Sequence, residues 1–354
     1  MHKISIILTD ITKRAGTERA VVNLANILSS LNYDVCIFST DSISGSPQYY
    51  LNRNVRIFHF GLKISSAKGF SKILEYKKLN TKIIECIKNE NIDCVIGTYS
   101  FFNALLTRIP NVETIGCEHF NYFSASKLHR LVRRIFYPKL NVVVVLTEHD
   151  KAHYSFLKNC FVIHNSLSFE SFIKENWSEK VVLSIGRYTK QKGFDFLIKT
   201  AAKLKKAFPD WKFKIVGSGE DEKLLENLIA EYHLEDYVKL LPPTNNIVDL
   251  YKSASIYCMS SRYEGLPMVL LEAKSCGLPI VSFDCPEGPA EVIEDSKDGF
   301  LCKPENPDDL AEKLKILMSD EKLREQFGKA AYVNSKRFST ENITKKWKQL
   351  LETV

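Results

Sequence analysis

SSRYEGLPMVLLEAKSCGLPIVSFDCPEGPAEVI, residues 260–293, decides how the rest of the chain is read. The SASIYCMS before it is short, apolar and β-rich, the profile of a buried strand, and MVLLEAKSCG has the apolar spacing of a helix closed by Gly277. Glu264 therefore falls on a strand-to-helix loop. Pro267 suits the first helical position, where its fixed φ fits and its missing N–H would have had no partner. A helix start at the carboxyl edge of a sheet presents open N–H groups and a positive dipole end, so a diphosphate is its natural guest. LPIVSFDCPEGPAEVI repeats the strand-turn-helix plan, with Gly288 and Pro289 at the next helix start. Glu272 lies eight residues beyond Glu264, about two helical turns, so the two carboxylates can serve different parts of one elongated ligand.

Outward from this stretch the same alternation covers the chain. KISIIL, a helical run from Glu18 to Leu31 and DVCIFST form a β-α-β start, the signature of a parallel sheet wrapped by helices. VRIFHF, DCVIGT, VETIGC and NVVVVL continue it. Around Asn165 the pattern pauses, then restarts at EKVVLSIGRYTKQKGFDFLIKTAAKL. With 354 residues the chain exceeds the usual single-core limit of about 250 to 300. Two domains are expected, 1–165 and 166–339, with a final helix in 340–354, anchored by Trp347, returning to the first domain.

Composition narrows the class. Hydrophobic content of 45% and charged content of 26% suit a soluble globular protein. No apolar run approaches the ~18 residues that span a bilayer, and MHKISIILTD reads as a first strand rather than a signal peptide. A cytoplasmic location is expected. Nine cysteines without C-x-x-C spacing read as buried reduced thiols, and no zinc site is indicated. Charge is unevenly shared: residues 1–165 hold 21 Lys+Arg against 12 Asp+Glu, a net of +9, while the remainder is close to neutral. The first domain is thus expected to meet an anionic partner.

Glu264 and Glu272 within YEGLPMVLLEAKSCGLPIV resemble the E-x7-E motif of the retaining glycosyltransferases of family 4; the spacing, the GLP after the first Glu and the downstream GLPIV occur together. The resemblance implies a GT-B architecture, two Rossmann-like parallel-sheet domains facing across a cleft. It implies a donor site made by Gly16, Gly217, Glu264, Gly265, Leu266, Pro267 and Glu272. Arg187 and Lys192, on the loop after KVVLSIGR, match the family's cationic pair; a planar fork and a mobile point charge suit a pyrophosphate between them. Gly217 opens the VGSG turn. Where the family usually carries two adjacent glycines in its first loop, this chain has Ala15 then Gly16; Gly16 reads either as a simple turn or as a point of close backbone approach. His119, just past a strand end, matches a His that the family often uses at the transferred sugar.

SKLHRLVRRIFYPK carries Leu128, Leu131, Val132 and Ile135 at helical spacing and Lys127, Arg130, Arg133, Arg134 and Lys139 with no acid. It reads either as a helix packed on the sheet with a solvated basic face, or as a platform for anionic lipid head groups or an acceptor's diphosphate. The reaction implied is transfer of a hexose or N-acetylhexosamine from a UDP-sugar, with retention and without a metal or other cofactor, to a polyprenyl-diphosphate-linked glycan in surface polysaccharide assembly. The enzyme would sit peripherally on the inner face of the cytoplasmic membrane and use no nucleic acid. A sugar-nucleotide epimerase of the same fold, or a non-catalytic nucleotide- or nucleic-acid-binding protein, is the alternative.

Overall fold

The computed structural model describes residues 2–123, 125–167, 169–244 and 246–353. It divides into two compact units, Met1–Ser168 with Thr340–Val354, and Phe169–Ser339.

The first unit holds a seven-stranded sheet: β1 (Lys3–Leu8), β2 (Asp34–Ser39), β3 (Arg56–His59), β4 (Cys94–Gly97), β5 (Glu113–Cys117), β6 (Val142–Val145) and β7 (Cys160–Val162), in the order β3-β2-β1-β4-β5-β6-β7. Every pairing is parallel. Parallel sheets are covered on both faces, and the residue alternation shows it. Ile4, Ile6, Leu8, Val142 and Val144 join one core with the helix Gly16–Ser30 and with Ile343, Trp347 and Leu350 of the last helix, Thr340–Leu351. Ile7, Val143 and Val145 join a second core on the other face, with Leu79, Ile83 and Ile87 of the helix Gly69–Glu90.

The second unit has six parallel strands: β8 (Val181–Ile185), β9 (Lys212–Val216), β10 (Val238–Leu241), β11 (Ile256–Met259), β12 (Ile280–Phe283) and β13 (Gly299–Cys302), in the order β10-β9-β8-β11-β12-β13. The chain runs outward from β8 to β10, then returns beside β8 as β11 and runs outward the other way. The strand order therefore reverses between β8 and β11, and between β1 and β4 in the first sheet. In open α/β sheets such switch points leave a crevice at the carboxyl ends of the strands.

Two local readings are corrected. Pro267 is the N-cap of the helix Met268–Ser275, extended at φ −73 and ψ 105, not its first helical residue. Glu264 thus precedes the helix by four positions, and the two glutamates are not two helical turns apart. The helix closes at Gly277 (φ +68), where the N–H of Gly277 donates to the Lys274 carbonyl and that of Leu278 to Ala273, a left-handed cap that favours glycine. All nine cysteines are free, eight of them buried. Among the described residues, no helix is long and apolar enough to cross a membrane.

Candidate active site

The loops that leave β8 and β11 meet at the second unit's switch point. Lys192 closes the turn after β8, its stem lying over Gly186, and its Nζ donates to Glu264 Oε1 at 2.7 Å. The Glu264 side chain is 7% exposed and that of Lys192 17%, so this is a largely dry ion pair. Backbone contact makes it reachable. A Cβ on Gly193, itself at φ +63, would sit 2.1 Å from the Ser260 carbonyl oxygen, and one on Gly217 would sit 1.8 Å from that of Gly186. Glycine at both positions lets the loops after β8, β9 and β11 touch backbone to backbone.

A second set of side chains clasps the same loops. Arg262 donates to both carboxylate oxygens of Asp195, at 2.9 and 2.8 Å, and to the Lys190 carbonyl at 2.7 Å, and stacks over Phe196 at 4.2 Å. Its backbone N–H donates to the Gln191 carbonyl, while the Gln191 amide donates to the carbonyl of Tyr263. Such a bidentate Arg fork holds a geometry that a lysine would not. Arg262 lies inside the opening sequence stretch, but its partner is 67 residues away and no spacing announces it.

Arg187 is exposed on the loop after β8, and its side chain makes no hydrogen bond or ion pair among the described residues. Glu272 is 1% exposed, which excludes a solvated helix residue, and its Oε2 accepts from the Tyr251 hydroxyl at 2.8 Å. A carboxylate so buried requires polar partners. Leu266 is buried, so only its backbone can face a ligand. Neither N-cap residue, Pro267 before the Met268–Ser275 helix or Gly288 before the short turn Pro289–Val292, caps with a side chain, and among the described residues the N–H groups of Met268, Val269 and Ala290 are left to an anion or to water. Cys285, on the loop after β12, has its thiol pushed up to about 12 by burial, with Glu264 adding to the effect, so it is no thiolate nucleophile. The site can bind anions at N–H groups, Lys192 and Arg187, and can offer carboxylates to hydroxyls or to a developing cation.

In the first unit, Gly16 is the first residue of a helix, and a Cβ added there would meet nothing within 4 Å. It is therefore neither a turn glycine nor a place of forced backbone approach. His119 follows β5 and lines a small cavity with Leu24, Cys117, Val144, His164 and Trp347. Both its ring nitrogens are shielded and, among the described residues, without a hydrogen-bond partner, and burial holds its pKa down to about 4. A neutral imidazole is a donor and an acceptor awaiting partners.

The basic helix, Lys127–Phe136, is turned relative to its apolar pattern. Val132 and Arg133 face inward, while Leu128, Leu131 and Ile135 are exposed. Arg133 is not available to a lipid or an acceptor: its guanidinium is ion-paired with Glu118 and donates to the Tyr122 carbonyl at 3.2 Å. Glu118 is 3% exposed and also accepts from the Tyr137 hydroxyl. Burial pushes the Glu118 carboxyl up and Arg133 opposes this. A buried acid demanding a cation, with no signal in the helix itself, is what rotates it. Lys127, Arg130 and Arg134 remain on the accessible side.

A family model described as Glycosyl transferases group 1 matches residues 168–334. The chain is 34% identical over 367 residues to the amylovoran biosynthesis glycosyltransferase AmsD of Erwinia amylovora, covering 99% of this chain and 100% of that one. It is 29% identical over 371 residues to the GalNAc-alpha-(1->4)-GalNAc-alpha-(1->3)-diNAcBac-PP-undecaprenol alpha-1,4-N-acetyl-D-galactosaminyltransferase of Campylobacter jejuni, covering 100% and 99%. Among solved structures, a TarM mutant from S. aureus in complex with Fondaparinux, alpha-GlcNAc-glycerol and UDP is similar, with a TM-score of 0.82, 19% identity and 99% of each chain covered.

Proposed function

This chain belongs to the glycosyl transferases group 1 family, and from that premise we propose that it moves a hexose or N-acetylhexosamine from a UDP-sugar to a lipid-linked glycan in surface polysaccharide assembly. The observation that carries the reading is the convergence of Lys192 and Glu264 at the switch point between β8 and β11. The UDP held by the TarM structure and the undecaprenyl-linked acceptor in the Campylobacter enzyme's name support the choice of donor and acceptor.

Departure of UDP builds negative charge on the diphosphate while the anomeric carbon becomes oxocarbenium-like. Arg187, Lys192 and the N–H groups of Met268, Val269 and Ala290 stabilise the leaving charge, the task a metal performs elsewhere, so the reaction runs without one. Gly217 keeps the loops close enough for both cations to reach one ligand. Glu264, released from Lys192 as that cation turns to phosphate, faces the sugar; Glu272, steadied by Tyr251, accepts from ribose hydroxyls; Gly265, Leu266 and Pro267 offer backbone to the donor. His119 donates to, or accepts from, a sugar hydroxyl as the neutral imidazole. The departing phosphate oxygen takes the proton of the incoming hydroxyl, which gives retention. Arg187→Ala is expected to lower turnover by ~10²-fold or more at unchanged melting temperature, since one preorganised donor to a developing charge contributes that much. Wild-type turnover in that variant would remove Arg187 from the mechanism.

A further inference from the structure

Lys274 follows Glu272 by two residues on the Met268–Ser275 helix, and a core seldom takes such a residue unpaired. Its side chain is 0% exposed and that of its partner, Asp298, 2%, with Nζ and Oδ2 2.6 Å apart. Burial pulls the ammonium down to about 8, with Asp298 opposing. A methionine would fill the same space without desolvating a charge, so packing alone does not account for a lysine here.

The ammonium reaches a backbone oxygen as well as the carboxylate. Lys274 Nζ donates to the carbonyl of Val292, the last residue of the short turn Pro289–Val292. Arg337 donates to the carbonyls of Glu291 and Val292, at 2.7 and 3.2 Å. Two cations thus grip the last two carbonyls of one turn, at the negative end of its dipole. Asp298 is fixed in its own place: Oδ1 accepts from the Glu294 N–H at 3.0 Å and Oδ2 from the Asn334 amide at 2.6 Å.

A turn of four residues does not hold itself in position. Its start touches the loop that carries Glu264. Gly288, at φ +98, lies so close that a Cβ there would sit 2.0 Å from the Gly265 carbonyl oxygen and 2.7 Å from Pro267 Cδ. The turn is therefore fixed twice, by backbone contact with Gly265 at one end and by Lys274 and Arg337 at the other. With no exposed surface, Lys274 itself touches no ligand.

We infer that Lys274 is a positioning residue for the transfer reaction: from the helix that presents Glu272, it sets the Gly288–Val292 turn against the Glu264 loop, so that Glu264, Glu272 and the Ala290 N–H meet one diphosphate sugar together. Asp298 holds the ammonium, and Arg337 shares its grip on the turn. The inference rests on the donor site of the proposed function.

The test compares the binding of UDP and UMP, which differ by the second phosphate, and acceptor-dependent transfer in the full chain and its variants. Lys274→Met alone strands the Asp298 carboxylate and should lower the melting temperature. Adding Asp298→Asn removes that charge, keeps an amide oxygen for the Glu294 N–H and should recover most of the loss. In this double variant UDP affinity should still fall about tenfold, as for one lost hydrogen bond to a charged group, with UMP affinity unchanged and turnover down by about 10²-fold. Arg337→Ala, at an exposed position, should give the same split between UDP and UMP to a smaller extent, at unchanged melting temperature. The inference is overturned if the double variant keeps the wild-type ratio of UDP to UMP affinity, or if the two affinities fall together, as a general loosening of the fold would give. In either case a wild type that prefers UDP and transfers its sugar leaves the transferase reading standing. A wild type that binds UMP as tightly as UDP would remove the diphosphate site of the proposed function, and this inference with it.

Discussion

Exchanging Lys192 for Met leaves Glu264, with its side chain 7% exposed, without its cation. At the 2.7 Å separation the attraction is about 6 kcal/mol at an effective dielectric near 20. Desolvation and the ordering of the lysine stem offset most of that, and the Lys192 side chain, 17% exposed, is partly screened. A net coupling of about 2 kcal/mol remains. Urea unfolding of the wild type, Lys192→Met, Glu264→Gln and the double variant forms a cycle that isolates this term. Lys192→Met alone should lower stability by about 2 to 3 kcal/mol, and the double variant should recover much of the loss, because the carboxylate that lacked a partner has gone. Saturating UDP-sugar should shrink the coupling, since Lys192 then serves the diphosphate. Coupling below about 0.5 kcal/mol in the free protein would refute the ion pair and the picture of a lysine handed from carboxylate to phosphate.

Arg133→Ala is expected to destabilise the first unit by about 3 to 5 kcal/mol, because it strands the buried Glu118, while Arg134→Ala on the exposed side should change stability by less than about 0.5 kcal/mol; thermal unfolding of both separates the two roles. His119 gives a pH signature. Its folded pKa of about 4 lies below the ordinary 6.5, so between those values the unfolded chain binds a proton that the native chain does not. Stability present above pH 6.5 is lost as pH falls towards 4, by about 3 kcal/mol relative to His119→Gln at 1.36 kcal/mol per pH unit. Parallel pH curves for the two proteins would show that His119 is not held neutral by burial.

What could be seen in advance followed how local the determinant was. The strands that become β8 and β11, the loop positions of Lys192 and Glu264 and the closing Gly277 were legible because period-two and helical patterns and glycine preferences act over a few residues. The partners were not. Asp195 is bound by Arg262 and Glu272 by Tyr251 across intervals that only the sheet order closes. The basic helix misled for a related reason. Its apolar spacing pointed Leu128, Leu131 and Ile135 inward, but the Glu118 carboxylate, 15 residues earlier and just past β5, claims Arg133 and turns the helix over. Gly16 misled differently: a glycine in a loop-like string became the opening residue of a helix with open space around it.

The most direct test is nucleotide release by the purified chain from a panel of UDP-, GDP-, ADP- and CDP-sugars, each with and without a polyprenyl-diphosphate-linked glycan, in excess chelator. The account predicts release from one UDP-sugar that depends on the acceptor and survives the chelator. Release that stops with chelation would contradict the metal-free chemistry assigned to Arg187 and Lys192, and conversion of one donor into another without acceptor would contradict glycosyl transfer itself.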